Sequence, residues 1–500
     1  MDRVCFVIPS VGRKAYQDLA KTHSAIEPPT WALLLANAVR AKGYDPVILD
    51  FEAKFRRDLH ASADIAATKP KLVVFVLYGQ NPNSGTTMMI GASSLAKILK
   101  EDYPHLKTAF IGSHASALPN EVVSNDFCDF AFINEGVYGL LSLLETNLED
   151  ELDKVPGMWY KDRGLPRPSA PGKIVQTKDM NTVMPGYAWD LIDLKDYRSH
   201  FWHSNFSHEN RTPFAALYTS LGCSFGCNFC MINIVNRTSH DNDITSVDSR
   251  GMRFWDPELI LKELEYLYEY QGVRTCRITD EMFFLNRKYY VPILEGVIKR
   301  GMKFNFWAYA RVDSVRKDQL ELFKEAGVNW LCLGIEAGNQ QVRLEIDKGR
   351  FKQVNIRDVV QNIKDADINI LGNYMFGFPE ENYENMQETL DLALELNTEH
   401  ANFYAAMALP GSPLHLYARQ QGWDIPERYE EYAFLSYDCR PLRTKYLTGA
   451  EVLRFRDEAW HKYFTHKPFL DLVETKFGIE SRNNVVELEK IKLKRKILGD

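Results

Sequence analysis

Three cysteines fall within eight residues in the stretch Gly222-Cys223-Ser224-Phe225-Gly226-Cys227-Asn228-Phe229-Cys230. They form a C-x3-C-x2-C pattern on a loop that follows a predicted strand, residues 214–219. Three thiolates at this spacing can converge on one face of a metal ion or cluster. A structural zinc site would require a fourth ligand, and the nearest downstream candidate, His240, lies at no usual zinc-finger spacing. Three ligands instead fit a four-iron cluster that leaves one iron open for a substrate.

The cysteine loop opens a series of six predicted strand–helix units. Each predicted strand is a short apolar run followed by a helical pattern. The predicted strands are residues 214–219, 273–278, 303–309, 330–335, 369–375 and 402–408, and the predicted helices are residues 257–270, 289–300, 317–325, 355–365 and 383–396. Six such units predict a partial (β/α)6 TIM-like barrel, with its chemistry at the carboxyl ends of the strands.

A second alternating series precedes the barrel, in residues 1–145. Its predicted strands are residues 4–8, 46–49, 72–77, 108–111 and 129–133, with predicted helices at residues 30–42 and 86–99. This order predicts a doubly wound, Rossmann-like parallel sheet, which binds ligands outside the carboxyl ends of its strands. Glycines and small polar residues at those ends suit a large ligand, although ordinary strand–helix turns need the same residues.

Four segments follow from these patterns. Residues 1–145 form the N-terminal α/β domain, and residues 146–212 form a connector with five prolines and little periodicity. Residues 213–415 form the barrel, and residues 416–500 form a mainly helical C-terminal region.

The overall composition is that of an ordinary globular chain. Hydrophobic residues are 45% and charged residues 25% of the 500, and the net charge is −7, which argues against a disordered chain and against a large nucleic-acid footprint. No apolar run reaches the roughly 18 residues of a membrane span, and residues 1–8 do not read as a signal peptide. We therefore predict a cytoplasmic protein with no membrane span and no nucleic-acid partner.

The barrel motifs resemble those of the radical S-adenosylmethionine (SAM) enzymes. Beyond the cysteines, the resemblance is carried in chain order by residues 278–284, 310–313, 334–338, Leu344, Ile346, Lys348-Gly349, 376–381 and 409–414. It implies a [4Fe-4S] cluster on Cys223, Cys227 and Cys230, with SAM bound at the open iron. By motif position, the implied SAM contacts are Phe229, Arg311, Glu336, Gly338, Gly377 and Glu380. The fifth-strand motif departs from the family at Asn373, which replaces its usual first glycine.

Several barrel residues keep a structural alternative. Glu336 binds SAM by the family motif, or it pairs with Arg311 at the strand end. Asp280 and Glu281 line the substrate cavity or cap the next element. The alternating aromatics of the third strand, Phe304 and Phe306 on one face and Trp307 and Tyr309 on the other, are expected to pack the barrel.

The N-terminal domain resembles the cobalamin-binding domain of one radical SAM subclass, through residues 28–34, 112–119 and 134–136, and the connector resembles its linker at residues 155–158 and 189–194. The implied cobalamin contacts are Tyr78, Asn81, Gly112, Ser113, His114, Glu135 and Gly136. The lower-face histidine motif D-x-H-x-x-G is missing after the first strand, where the loop reads Ser10-Val11-Gly12-Arg13-Lys14. We interpret Asp58-Leu59-His60 as a coincidence on a helix and His114 as a turn histidine that contacts backbone.

The resemblance implies a cobalamin-dependent radical SAM enzyme, with methylation of an unactivated carbon of a small molecule or biosynthetic intermediate as the leading function. A radical oxidative cyclase of the same architecture and a non-catalytic cobalamin sensor are the alternatives; methylthio transfer to RNA would need further cysteines in the N-terminal domain. The family also implies an electron donor such as flavodoxin or ferredoxin. If methyl carrier and radical generator share one substrate, the loops ending at Asn83, His114 and Glu135 should face the cysteine loop across one cavity.

Overall fold

The protein, seen in a computed structural model that describes residues 1–54, 58–346 and 354–500, is an α/β chain built on two large sheets. The segment Lys348-Gly349, quoted above for the family resemblance, lies outside the described residues. No described helix is both long and apolar enough to cross a membrane.

The first sheet has seven strands in the order β2-β1-β3-β4-β5-β6-β7. Its strands are β1 Arg3–Ile8, β2 Asp45–Asp50, β3 Leu72–Leu77, β4 Thr108–Gly112, β5 Phe130–Phe132, β6 Met158–Asp162 and β7 Leu165–Pro168. Its helices are α1 Gly12–Tyr16, α2 Leu19–Thr22, α3 Thr30–Arg40, α4 Phe51–Lys54, α5 Asp58–Ala67, α6 Gly85–Asp102, α7 Ser113–Ala117, α8 Pro119–Ser124 and α9 Val137–Glu145. Strands β1 to β5 are parallel, as predicted for a doubly wound sheet.

Strands β6 and β7 add an antiparallel edge to this sheet, inside the segment expected to be an irregular connector. The prolines that suggested a spacer include Pro166 and Pro168, which lie in β7 at the edge of the sheet. A proline is tolerated at an edge because its missing N–H is not needed for strand pairing. We propose that the N-terminal unit extends to the end of β7. The connector also contains α10, Met180–Val183.

The second sheet has six parallel strands in the order β15-β14-β13-β12-β11-β8, as predicted for a partial barrel. The strands are β8 Phe214–Leu217, β11 Thr275–Ile278, β12 Asn305–Arg311, β13 Val328–Glu336, β14 Asn369–Phe376 and β15 His400–Ala405; β9 Ser220–Leu221 and β10 Arg253–Phe254 form a separate antiparallel pair. The helices are α11 Pro257–Glu269, α12 Arg287–Lys299, α13 Leu320–Glu325, α14 Gln340–Glu345, α15 Ile356–Asp365, α16 Tyr383–Leu396 and α17 Pro413–Gln420.

The C-terminal region carries three further helices, α18 Gly449–Phe464, α19 Lys467–Phe477 and α20 Ile479–Glu489, in line with the predicted helical region. Thr448 begins α18 with a capping box, in which its hydroxyl and the Glu451 carboxylate satisfy each other's backbone N–H groups. Buried side chains from Val4 to Leu488 form one continuous hydrophobic cluster. The two sheets and the C-terminal helices therefore share one core.

Candidate active site

A cavity of about 970 Å³ lies between the carboxyl ends of the two sheets. The first sheet contributes the segments that follow β1 and β3, and the second sheet contributes the cysteine loop (residues 222–230) and the inward residues of β12 to β15. Helices α18 and α20 contribute a third wall. Asn83 lines this cavity as expected, but His114 and Glu135 do not.

Cys223, Cys227 and Cys230 all line the cavity and are partly exposed. Gly222 begins the loop at φ +87°, and a Cβ there would lie 2.2 Å from the Gly251 carbonyl oxygen, so the tight turn requires glycine. The Cys223 N–H donates to Asn233 Oδ1 at 2.9 Å. The turn and this bond hold the loop open toward the cavity.

Two groups from other elements approach the sulfur atoms. Arg311 Nη1 lies 3.8 Å from Cys227 Sγ. The Nε and Nη2 atoms of Arg311 donate hydrogen bonds to the Asp313 carboxylate at 2.8 and 2.6 Å. Asn83, from the first sheet, lies 3.7 Å from Cys230 Sγ through Nδ2, and its Oδ1 accepts the Met231 N–H at 2.9 Å. Both contacts suit a negatively charged thiolate.

The donor set of the loop suits an iron–sulfur cluster. Within the described ranges, no three His, Cys, Asp or Glu side chains are arranged to hold a single metal ion. A cubane places each thiolate on a different iron, so its three ligands need not meet at one point. Burial raises the pKa of Cys223 to about 12, so binding of a metal there would release a proton.

Residues 217–393 match the Radical SAM superfamily. The barrel is a radical SAM domain. The match spans strands β11 to β14 and begins six residues before Cys223.

Relatives and solved structures extend the likeness to the whole chain. An uncharacterized methyltransferase of Pyrococcus horikoshii is 25% identical over 455 residues, which are 89% of this chain and 91% of that protein. An anaerobic magnesium-protoporphyrin IX monomethyl ester cyclase of Rubrivivax gelatinosus is 24% identical over 90% of this chain and 76% of its own length. The methyltransferase TsrM of Kitasatospora setae, solved with cobalamin and a [4Fe-4S] cluster, shares the fold with a TM-score of 0.66 at 15% identity, covering 98% of this chain and all of that one.

Three of the six expected SAM contacts line the cavity of the radical SAM domain: Phe229, Arg311 and Glu336. The Phe229 ring lies 5.7 Å from the ring of Phe378. Glu336 ends β13 with φ +68° and is 7% exposed. Arg311 forms an ion pair with Asp313 at 2.6 Å.

Gly338, Gly377 and Glu380, also expected at SAM, lie outside the residues that line the cavity. The Gly338 N–H donates to Thr389 Oγ1 at 2.8 Å, and a Cβ there would lie 2.5 Å from the Glu388 carbonyl oxygen, so this glycine lets β13 pack on α16. Glu380 forms a surface ion pair with Lys445 at 2.5 Å.

Glu381, one residue further along, is the buried acid of the fifth-strand motif. Its Oε2 accepts the N–H groups of Gly377 and Phe378 at 2.7 and 2.9 Å, so it holds the turn after β14. Burial raises the pKa of Glu381 to about 7. Gly377 makes this turn at φ +87°.

The two acids after β11 have different surroundings. Asp280 is fully buried and accepts the Thr219 N–H and hydroxyl, at 2.5 and 2.7 Å, so it ties the end of β11 to the residues after β8. The N-caps of the next elements are Met282 and Asn286. Glu281 lines the cavity, and burial raises its pKa to about 8.

Of the seven residues expected at cobalamin, Tyr78 and Asn81 line the cavity. Tyr78 stacks on Trp31 with ring centroids 4.2 Å apart, and its hydroxyl donates to the Asn134 carbonyl at 3.2 Å. Both residues follow β3, which lies between β1 and β4 in the first sheet.

The other five expected contacts are Gly112, Ser113, His114, Glu135 and Gly136, and the structure does not bring them to the cavity. Gly112 and Gly136 have positive φ and pack on Leu77 and Ile111, and the Ser113 hydroxyl donates to the Pro82 carbonyl. The buried Glu135 carboxylate pairs with Arg253 beside the cysteine loop. Glu135 therefore joins the first sheet to the barrel, while the contacts of Gly112, Ser113 and Gly136 lie within the N-terminal domain.

His114 is buried, but it contacts side chains where backbone was expected. Its Nδ1 lies 3.0 Å from the Thr86 hydroxyl, and its ring packs edge-on against Tyr429. His60 is exposed and does not line the cavity.

Several cavity residues carry no signal in the sequence. Glu27 precedes α3, His200 and Trp202 lie in the connector, and Trp460 and Leu488 come from the C-terminal helices. No spacing links these positions. Trp307 and Tyr309, expected as packing, also line the cavity.

Proposed function

We propose that the protein is a cobalamin-dependent radical SAM methyltransferase that acts on an unactivated carbon of a small molecule. The observation that carries this proposal is the single cavity that joins the cysteine loop to Tyr78 and Asn81 after β3. One substrate atom can reach both a radical source and a methyl carrier only if the two sites share such a space. Whole-length likeness to a named methyltransferase and to the TsrM fold supports the same function.

When bound, the cluster and SAM supply an electron and a 5′-deoxyadenosyl radical, and cobalamin supplies a methyl carrier. Cys223, Cys227 and Cys230 would hold the cluster, and the Arg311 guanidinium stabilises negative charge on Cys227 from 3.8 Å. Phe229 and Phe378 form an apolar ledge beside the loop, suited to the adenine ring.

The first sheet would bind cobalamin through the segment after β3. The loop after β1, residues 10–14, contains no histidine, so the motif that supplies a lower-face ligand in related domains is missing. Helices α18 and α20 cover the cavity with Trp460 and Leu488, which excludes water from the reacting groups.

We propose that a flavodoxin or ferredoxin supplies the electron and that the protein works in the cytoplasm. The eight cysteines are all free thiols, three of them in the cysteine loop. Thiols and a reducible cluster persist in a reducing compartment.

Anaerobic reconstitution with iron, sulfide, SAM and hydroxocobalamin tests the function. We expect cobalamin to stay bound through gel filtration without a protein imidazole on cobalt, in both wild type and His60→Ala. Mass spectrometry should detect S-adenosylhomocysteine and 5′-deoxyadenosine together with a methylated product. Release of 5′-deoxyadenosine alone would favour a cyclase function. The cyclase of Rubrivivax gelatinosus aligns with 90% of this chain. Loss of cobalamin, or a nitrogen splitting from imidazole in the reduced cobalt signal, would contradict the proposal.

A further inference from the structure

The cavity extends from the cysteine loop down into the barrel, where its inner end has aromatic walls. Trp202 and Trp307 line this end, with ring centroids 5.4 Å apart in an edge-to-face arrangement. Two histidines, His200 and His400, line the same region, and the His400 and Trp202 rings are stacked at 6.0 Å. We define the lumen floor as Trp202, Trp307, His200 and His400.

His200 is held in place by a buried ion pair. Its Nε2 lies 3.2 Å from Glu27 Oε1, and Glu27 Oε2 pairs with Arg277, whose side chain is 1% exposed. The three residues come from the N-terminal domain, the connector and β11. The Arg277 guanidinium also lies 4.5 Å from the Trp307 ring, so the anchor is itself packed in the barrel.

The Glu27 carboxylate fixes which nitrogen of His200 carries the proton. Burial alone would raise the pKa of Glu27, but Arg277 and His200 lower it below its usual value, so Glu27 is ionised. An ionised carboxylate only accepts hydrogen bonds, so His200 Nε2 must be the donor. In the neutral ring Nδ1 is then the lone-pair nitrogen. Nδ1 has no hydrogen-bond partner among the described residues, although the side chain is 22% exposed and lines the cavity.

An unpaired nitrogen of His400 independently indicates a ligand site at the lumen floor. It is 5% exposed, and its Nδ1 is buried without a hydrogen-bond partner in the described part of the chain. Burial lowers the pKa of His400 to about 3, so the ring is neutral and retains a lone pair. Buried polar groups are normally paired, and an unpaired one at a cavity wall calls for a water or a ligand.

We propose that the lumen floor is the specificity site for the substrate of the proposed methyltransferase: it takes a flat ring that carries an O–H or N–H group and accepts a hydrogen bond from that group at His200 Nδ1. His200 and His400 already stack on the Trp202 ring, so the edges of the two tryptophan rings contact the ligand ring. His200 is the residue that discriminates, and Glu27 is a positioning residue that acts through it. Only the statement that this ligand is the substrate rests on the proposed function.

Phenol and toluene test the site, because they have nearly the same shape and only phenol donates a hydrogen bond. The full-length reconstituted protein is titrated with each probe by ligand-observed NMR, with saturating S-adenosylhomocysteine to fill the SAM end. The measured quantity is the Kd of toluene divided by the Kd of phenol. From wild type to His200→Phe this ratio should fall about fivefold, which is the effect of one neutral hydrogen bond.

His200→Asn should keep a larger ratio than His200→Phe, because its amide oxygen replaces Nδ1 as an acceptor. His105→Phe, at an exposed histidine outside the cavity, should leave the ratio unchanged. His200→Leu gives the same comparison if the phenylalanine variant does not fold. An unchanged ratio in the His200 variants, or no binding of either probe, overturns the proposal. If the protein distinguishes phenol from toluene through His200 but forms no methylated product, the ligand site is supported and the proposed methyltransferase function is rejected.

Discussion

At the scale of single residues, side chains of the same type have different surroundings. Glu380 is on the surface with Lys445, while Glu381 is buried against two backbone N–H groups. Cys223, Cys227 and Cys230 line the cavity, while Cys276 is buried in β11. These differences give each residue its own expected response to substitution.

Loss of any cluster thiol should remove the cluster. In Cys223→Ala, Cys227→Ala or Cys230→Ala one iron loses its protein ligand, and we expect most iron content, the broad iron–sulfur absorbance and SAM cleavage to disappear. Cys276→Ala removes a thiol that lies outside the cavity and should keep the cluster. Full iron content in the triple-alanine variant would disprove the assignment.

Glu381 should make folding stability depend on pH. Because burial raises its pKa from 4.5 to about 7, the folded state favours the protonated form. Its contribution is fully present below pH 4.5 and is lost as the pH rises through 7, by about 3 kcal/mol in total. Glu381→Gln, which does not titrate, should lack this loss. Urea unfolding of wild type and Glu381→Gln at pH 4.5 and pH 8 measures the change in the free energy of unfolding with pH. The same change in both proteins would contradict the prediction.

At the scale of secondary-structure elements, glycines in the barrel motifs let elements approach closely. Gly338 after β13 and Gly222 at the start of the cysteine loop each face a backbone oxygen at a distance that no Cβ tolerates. The motif glycine at 338 therefore allows β13 to pack closely on α16.

Gly338→Ala should lower stability more than it lowers SAM binding. The new Cβ would lie 2.5 Å from the Glu388 carbonyl oxygen, a backbone atom of α16, and overpacking of this kind costs about 1–3 kcal/mol. Chemical unfolding should show the loss. The affinity of the folded variant for SAM, measured by calorimetry well below its midpoint, should stay within about threefold of wild type. A large loss of affinity at unchanged stability would return Gly338 to the SAM site.

At the scale of the whole molecule, buried polar contacts join the first sheet to the barrel. Glu135 follows β5 and pairs with Arg253 in β10, and both side chains are less than 8% exposed. Arg253 also donates to Asn236 and to the Val175 carbonyl, which ties the connector into the same contact. The relative position of the two sheets, and so the shared cavity, depends on this cluster.

Breaking this contact should destabilise the whole protein. Glu135→Gln leaves the Arg253 guanidinium buried without its counter-charge, and loss of one partner in a buried pair costs about 3–5 kcal/mol. Glu380→Gln, in the exposed pair with Lys445, is the matched control and should cost less than about 1 kcal/mol. Unfolding in guanidinium chloride compares the stabilities of the Glu135→Gln and Glu380→Gln variants. Equal midpoints would show that Glu135 does not hold the sheets together.

The sequence alone determined the two strand–helix series and the cluster motif, because strand alternation and the spacing of three cysteines are local patterns. The tertiary structure decided which strand-end residues reach the cavity. Gly338, Glu380 and His114 occupy motif positions, yet the turns that carry them direct their atoms to α16, to Lys445 and to Thr86. Glu27 and Arg277 lie 250 residues apart and meet only because β11 and the start of α3 converge on one cavity. Contacts of that range depend on packing between elements, which a local pattern does not encode.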